Sequence, residues 1–225
     1  MSATATTPAR ARHHAAPAAS RWTGTAHLIR LALRRDRVRL TVWISVLTAM
    51  MLYTPNALEL AYPDEAQRRT RVQLLQTPAG IMMGGPMFGR NETDLGAMMA
   101  NELMLTLIVA TSILAILTVI RHTRAEEESG TAELVLASPV GRYARTTAAL
   151  LVVGAVNAVI AVTMTAAMAA SGFAVADTAA MCISVTAVAT VFGAVAAVTA
   201  QLWRVARTAS GAAMALLALA ALIRG

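Results

Sequence analysis

The chain contains no lysine; all 19 of its basic residues are arginine. A phosphate-binding P-loop needs a lysine at the β- and γ-phosphates, so no such nucleotide site exists in these residues. If ATP energises the protein, the ATPase must be a partner. The arginine preference itself carries no chemistry, because an Ala-rich, lysine-free chain is what a GC-rich genome produces. Charged residues are also scarce, at 14% against 57% hydrophobic, with a mean hydropathy of +0.59. A soluble domain carries about 25% charged and roughly 45–50% apolar residues. The lone cysteine, Cys182, excludes an intrachain disulfide and reads as a small buried side chain. His13, His14, His27 and His122 form no metal-ligating pattern, and no metal is expected.

The apolar residues fall into blocks, and a helix of about 20 mostly apolar residues is what crosses a bilayer. Residues 1–21 lack periodicity and the apolar core of a signal peptide, and read as a disordered cytoplasmic tail. From 22 to 39 the pattern is that of a basic amphipathic helix suited to the membrane interface. Trp22, Ile29 and Leu33 can share one side, and Arg30, Arg34 and Arg37 another. The rest, 40–225, reads as a transmembrane domain with spans at about 40–60, 97–120, 147–170 and 179–202. A fifth apolar block, 209–223, is short for a span, which suggests a truncated chain or one half of a larger protein. The expected class is therefore an all-α integral membrane protein: an interfacial helix followed by four to five transmembrane helices.

Arginine placement sets the orientation. Eight arginines precede the first span, four lie between 121 and 146, and Arg204 and Arg207 follow the fourth span. Placing these inside leaves five outside, so the N-terminus and the 121–146 loop are expected in the cytoplasm and the 63–94 loop outside. The net charge of +7 then marks topology and contacts with anionic lipid, not nucleic acid.

The 121–146 loop holds Glu126, Glu127 and Glu128, then Gly130-Thr131, Leu134 and Leu136, then Ser138-Pro139. This is a compact acidic knob between two spans. It can dock a soluble partner but supplies neither a nucleophile–base pair nor a metal cluster. A charged hairpin without a partner is the plain alternative. No catalytic residue is expected here or in the spans, and the chain is not expected to be an enzyme. At membrane depth the polar residues are Asn101, Glu102 and Asn157, candidates for a translocation path. Glu102 could instead be solvated at the outer interface, and Asn157 could form an interhelical hydrogen bond. Gly154/Ala158, Gly193/Ala197 and Gly211/Ala215 have the spacing that permits close helix approach. Six methionines (82, 83, 87, 98, 99 and 104) near the outer side could form an adaptable apolar surface.

The string Arg124…Glu126-Glu127…Gly130-Thr131…Glu133-Leu134…Ser138-Pro139-Val140…Arg142 resembles the loop between the second and third spans of type-2 ABC transporter permeases. Tyr62-Pro63, Gly85-Pro86-Met87-Phe88-Gly89 and Leu95-Gly96 look like the polyketide-antibiotic exporter subgroup of actinobacteria. The resemblance covers about residues 25–223 and only the N-terminal half of such permeases. It implies a type-2 permease bundle in the bacterial cytoplasmic membrane that moves hydrophobic compounds such as antibiotics or drugs outward. The partners it implies are an ABC ATPase subunit, which binds the ATP and Mg, and a second permease half or a second copy. It implies that Glu126, Glu127, Gly130, Thr131, Glu133, Leu134, Pro139 and Arg142 couple to that ATPase. A non-transporting membrane scaffold whose hairpin recruits a soluble protein is the competing reading.

Overall fold

A computed structural model describes residues 22–84, 93–128, 141 and 143–224, and these are almost wholly helical. The order is α1 (Thr25–Ala61), α2 (Glu65–Leu75), α3 (Pro78–Gly84), α4 (Leu95–Ile120), α5 (Ala144–Ala170), α6 (Val175–Leu202) and α7 (Ala206–Arg224). The axis of α4 runs on through a π-helical turn, Arg121–Ala125, and a last α-turn, Glu126–Glu128. Gly130, Thr131, Glu133, Leu134, Pro139 and Arg142 lie outside the described residues, as do the 1–21 tail and the Gly85–Gly89 string.

Five of these helices are long and apolar enough to cross a membrane: α1, α4 with its extension, α5, α6 and α7. This is an all-α, multi-pass membrane protein. The fifth is 19 residues long, not the short block that hydropathy alone outlines. Its first turn includes Arg207, which an apolar count omits, and at about 1.5 Å per residue it reaches about 28 Å, close to the hydrocarbon thickness.

The amphipathic segment and the first apolar segment form one unbroken helix, α1, of 37 residues. At about 56 Å it far exceeds a bilayer core, so its arginine-bearing N-terminal turns extend beyond the apolar part. Ala32, Asp36, Leu40, Leu47, Met51, Pro55 and Leu58 are its buried residues. They recur at helical spacing and form a single stripe facing the bundle. Leu31, Leu33 and Val38 stay outward, beside the exposed Arg30, Arg34 and Arg37. The inward stripe is therefore narrower, and carries an acid. Pro55 sits within the helix, which continues to Ala61.

The centre of the bundle is α4. In its most apolar stretch 56% of residues are buried, against 17% in α1 and in α7. Leu107, Ile116 and Val119 are fully enclosed. One apolar cluster joins α4 to α1, α5 and α6, and a second joins it to α5, α6 and α7. Cys182 is buried in the first.

Of the three small-residue pairs, only Gly193 lies at a close crossing. A Cβ there would lie 3.1 Å from Val153 Cγ1 and 3.7 Å from Ala115 Cβ, whereas one at Gly154 or Gly211 would meet nothing within 4 Å. Gly193→Leu is therefore expected to lower stability by about 1–3 kcal/mol through overpacking. Gly154→Ala should leave stability unchanged or slightly raised. Reversible unfolding in detergent micelles checks both, and equal effects at the two positions would refute the assignment.

Candidate functional site

The polar side chains of the bundle concentrate at one end, where α1 begins, α4 ends, α5 begins and α6 turns into α7. Asp36, on the inward stripe of α1, is only 2% exposed. A carboxylate held out of water costs several kcal/mol unless it is paired, and two arginines and a histidine surround this one. His122 donates from Nε2 to Asp36 Oδ2 at 2.8 Å. Arg121 Nε lies 3.1 Å from Oδ1, and Arg39 Nη1 4.0 Å from Oδ2. His122 is itself 7% exposed, and its Nδ1 is 3.5 Å from Glu126 Oε1, which also accepts from Arg35 Nη1 at 3.0 Å.

The same turns grip the other helices. Arg124 donates from Nε (3.0 Å) and Nη2 (2.6 Å) to the Ala200 carbonyl, in the last turn of α6. That oxygen is among the four that a helix C-terminus leaves without an intrahelical donor, and a cation there also opposes the helix dipole. Glu128 accepts from the Ala206 N–H at the first residue of α7, the complementary arrangement at an N-terminus. Glu127 pairs with Arg124 and accepts from Arg145 Nη2 of α5 at 2.8 Å. Nearby, Gly141 N–H donates to Thr23 O and the Trp22 and Tyr143 rings lie 5.9 Å apart, tying the start of α1 to that of α5. Residues 121–128 thus form a polar hub in contact with all four other spanning helices. Residues 129–140, which follow it in the chain, lie outside the described residues.

Of the sequence-predicted docking residues, Glu126 and Glu127 are described, and both are paired within the chain. The translocation candidates do not converge. Asn157 is 3% exposed and donates from Nδ2 to Thr190 Oγ1 (2.9 Å) and the Thr186 carbonyl (3.3 Å), an α5–α6 bridge. Glu102 accepts instead from Arg71 of α2, at 2.6 Å from Nη2 and 3.2 Å from Nε. That hydrogen bond raises the Arg71 pKa above its ordinary value, against the smaller opposing effect of burial. Asn101, next to Glu102, is half-buried. Asp36 and His122 were not singled out by the sequence pattern. The available signal was the acid at 36 in register with Ala32 and Leu40.

At the opposite end a cavity of about 630 Å³ opens between α1, α4 and the α5–α6 turn. Glu59, Asp94 and Asp177 line it together with Met99, Phe173 and Met181. Asp94 caps α4 through the Gly96 and Ala97 N–H groups, at 2.8 and 3.4 Å. A Cβ at Gly96 would lie 2.9 Å from that carboxylate, so a larger residue there would make the capping side chain shift. Of the outer methionines, Met98 and Met99 are buried in the core and Met82 is exposed.

This chain is similar to a permease. It is 38% identical, over its whole length, to the multidrug efflux system permease protein Rv1217c of Mycobacterium tuberculosis. The aligned part is 41% of that relative, so the chain spans less than half the length of the protein it matches. No protein-family model matches it.

Asn157→Leu is expected to lower stability by about 1 kcal/mol, the range of interhelical hydrogen bonds in membranes. Glu102→Gln should change it by about 0.5 kcal/mol or less, as for partly exposed ion pairs. Unfolding in mixed micelles distinguishes the two, and a larger loss for Glu102→Gln would be contrary to the placement.

Proposed function

We propose that this chain is the permease part of an ATP-driven ABC exporter that moves hydrophobic compounds, such as antibiotics or drugs, across the bacterial cytoplasmic membrane. The observation that carries the reading is the hub at residues 121–128. The acidic stretch that resembles a coupling loop follows directly on a segment joined by side chains to every other spanning helix. Whole-length similarity to a named efflux permease supports it.

In this reading the hub end faces the cytoplasm, because Arg30, Arg34, Arg35 and Arg37 gather there with Arg121, Arg124, Arg145, Arg204 and Arg207. The N-terminus is then cytoplasmic. An ABC ATPase subunit binds ATP and Mg and docks on the loop, with Gly130, Thr131, Glu133, Leu134, Pro139 and Arg142 forming its contact and Glu126 and Glu127 its buttress. A second permease half or a second copy completes the pathway, in which Asn101, Glu102 and Asn157 are candidate lining residues. The subgroup that the outer loop resembles points to polyketide antibiotics as cargo.

Glu133→Lys tests the docking. In vesicles containing the full-length permease and its ATPase subunit, permease-stimulated ATP turnover is expected to fall about tenfold, the size of effect that losing a charge-assisted contact produces. Membrane insertion should be unchanged. A permease that neither retains a P-loop ATPase nor alters its turnover would be a scaffold.

A further inference from the structure

We propose that Asp36 and His122 are positioning residues that fix the register of α1 against the root of the loop, so that displacement of the loop moves the first span. The inference rests on the permease reading above and extends it from the loop to a specific receiving helix.

Two features make α1 the helix in need of such a grip. It is lightly embedded, with 17% of its most apolar stretch buried, and most of its inward contacts are smooth aliphatic packing through Leu40, Leu47, Met51 and Leu58. Aliphatic packing of this kind is non-directional, and helices so packed can shear by small slides. At Asp36 the contact becomes directional. One carboxylate oxygen accepts from His122 Nε2 and the other faces Arg121 Nε. His122 is held on its other side by Glu126, which is held by Arg35 one residue before Asp36. The result is a two-ended clasp between residues 35–36 of α1 and residues 121–126 of the π turn and its extension.

Stability alone does not account for the clasp. Replacing a buried ion pair with apolar groups of similar volume is often neutral or stabilising, whereas buried polar pairs are best attested as devices that fix register. The π turn serves the same end. Such turns place an extra residue in the helical repeat and recur at functional sites, and here the turn carries Arg121, His122 and Arg124.

The test separates register from stability. The full-length permease and its ATPase subunit are placed in phosphatidylethanolamine/phosphatidylglycerol vesicles, and three quantities are read: thermal midpoint, ATPase retention and permease-stimulated ATP turnover. The double variant Asp36→Leu/His122→Leu is expected to hold its midpoint and its ATPase while stimulation falls about tenfold, within the range for residues that carry coupling. Exchanging the pair, Asp36→His with His122→Asp, is expected to restore at least half of the stimulation. Wild-type stimulation in the double leucine variant, or loss of stimulation only together with ATPase binding, overturns the proposal. If the buried variants do not reach the membrane, Arg35→Gln decides. It removes the half-exposed arm of the clasp and is expected to lower stimulation about twofold to threefold, and no change there overturns the proposal. A wild-type protein that neither binds nor stimulates the ATPase overturns the permease reading itself, an outcome distinct from a coupled wild type with unaffected variants.

Discussion

A carboxylate buried against an imidazole and a guanidinium at the base of the bundle constrains much of what surrounds it. Asp36 is almost wholly removed from water, and the several kcal/mol that desolvation costs must be offset by partners in fixed positions. Its partners come from α4's extension, not from α1 alone, so α1 and α4 can meet at this level in few ways. Once His122 is turned to Asp36, the residues that follow it on the helix are directed elsewhere: Arg124 to the end of α6, Glu127 to α5 and Glu128 to the start of α7. The arrangement of five helix ends follows from successive residues of a single helix, each presenting a different side chain at a different azimuth.

The two ends of the bundle differ in kind. At the hub, arginines predominate and the acids among them are paired. At the far end, Glu59, Asp94 and Asp177 line an open cavity, and Asp94 is engaged by backbone N–H groups. Between them the interior is aliphatic and methionine-rich, with Asn157 forming a short polar bridge between α5 and α6. A charge distribution of this sign orients the chain in a membrane. The central position of α4, in contact with both apolar clusters, makes it the element that joins the two ends.

Much of the fold was legible in the residues because lipid imposes simple requirements: length, apolarity and closed backbone hydrogen bonding. The blocks at 97–120, 147–170 and 179–202 reappear as α4, α5 and α6 with ends moved by a few residues. The continuity of α1 was obscured by hydropathy, which divides the chain near residue 40 where arginine-rich sequence becomes apolar, although no glycine or proline breaks the helix there. The length of α7 was missed for a related reason: a hydropathy count stops at arginine, whereas helix formation does not. The loop was recognisable from its spacing, but the hub was not. The pairing of residue 36 with residue 122 is a long-range contact between two positions that each look unremarkable locally. An aspartate among arginines reads as a solvated neighbour, and a histidine beside an arginine as part of a charged margin. Only the packing of Ala32 and Leu40 turns residue 36 inward and makes its charge consequential.

The hub also joins the helix ends to one another through directional contacts. Aliphatic packing is non-directional, and helices joined by it alone can shear by small slides. Arg124 holds the Ala200 carbonyl in the last turn of α6, and Glu128 the first amide of α7, through charge-assisted hydrogen bonds that are directional and roughly twice as strong as neutral ones. The α6–α7 turn is short, Trp203 to Val205, so the two helix ends cannot separate far. Residues 121–128 are therefore tied to α1 through Asp36 and to both ends of the α6–α7 turn at once. In the aliphatic core above, α4 and α6 continue as unbroken helices without an internal proline.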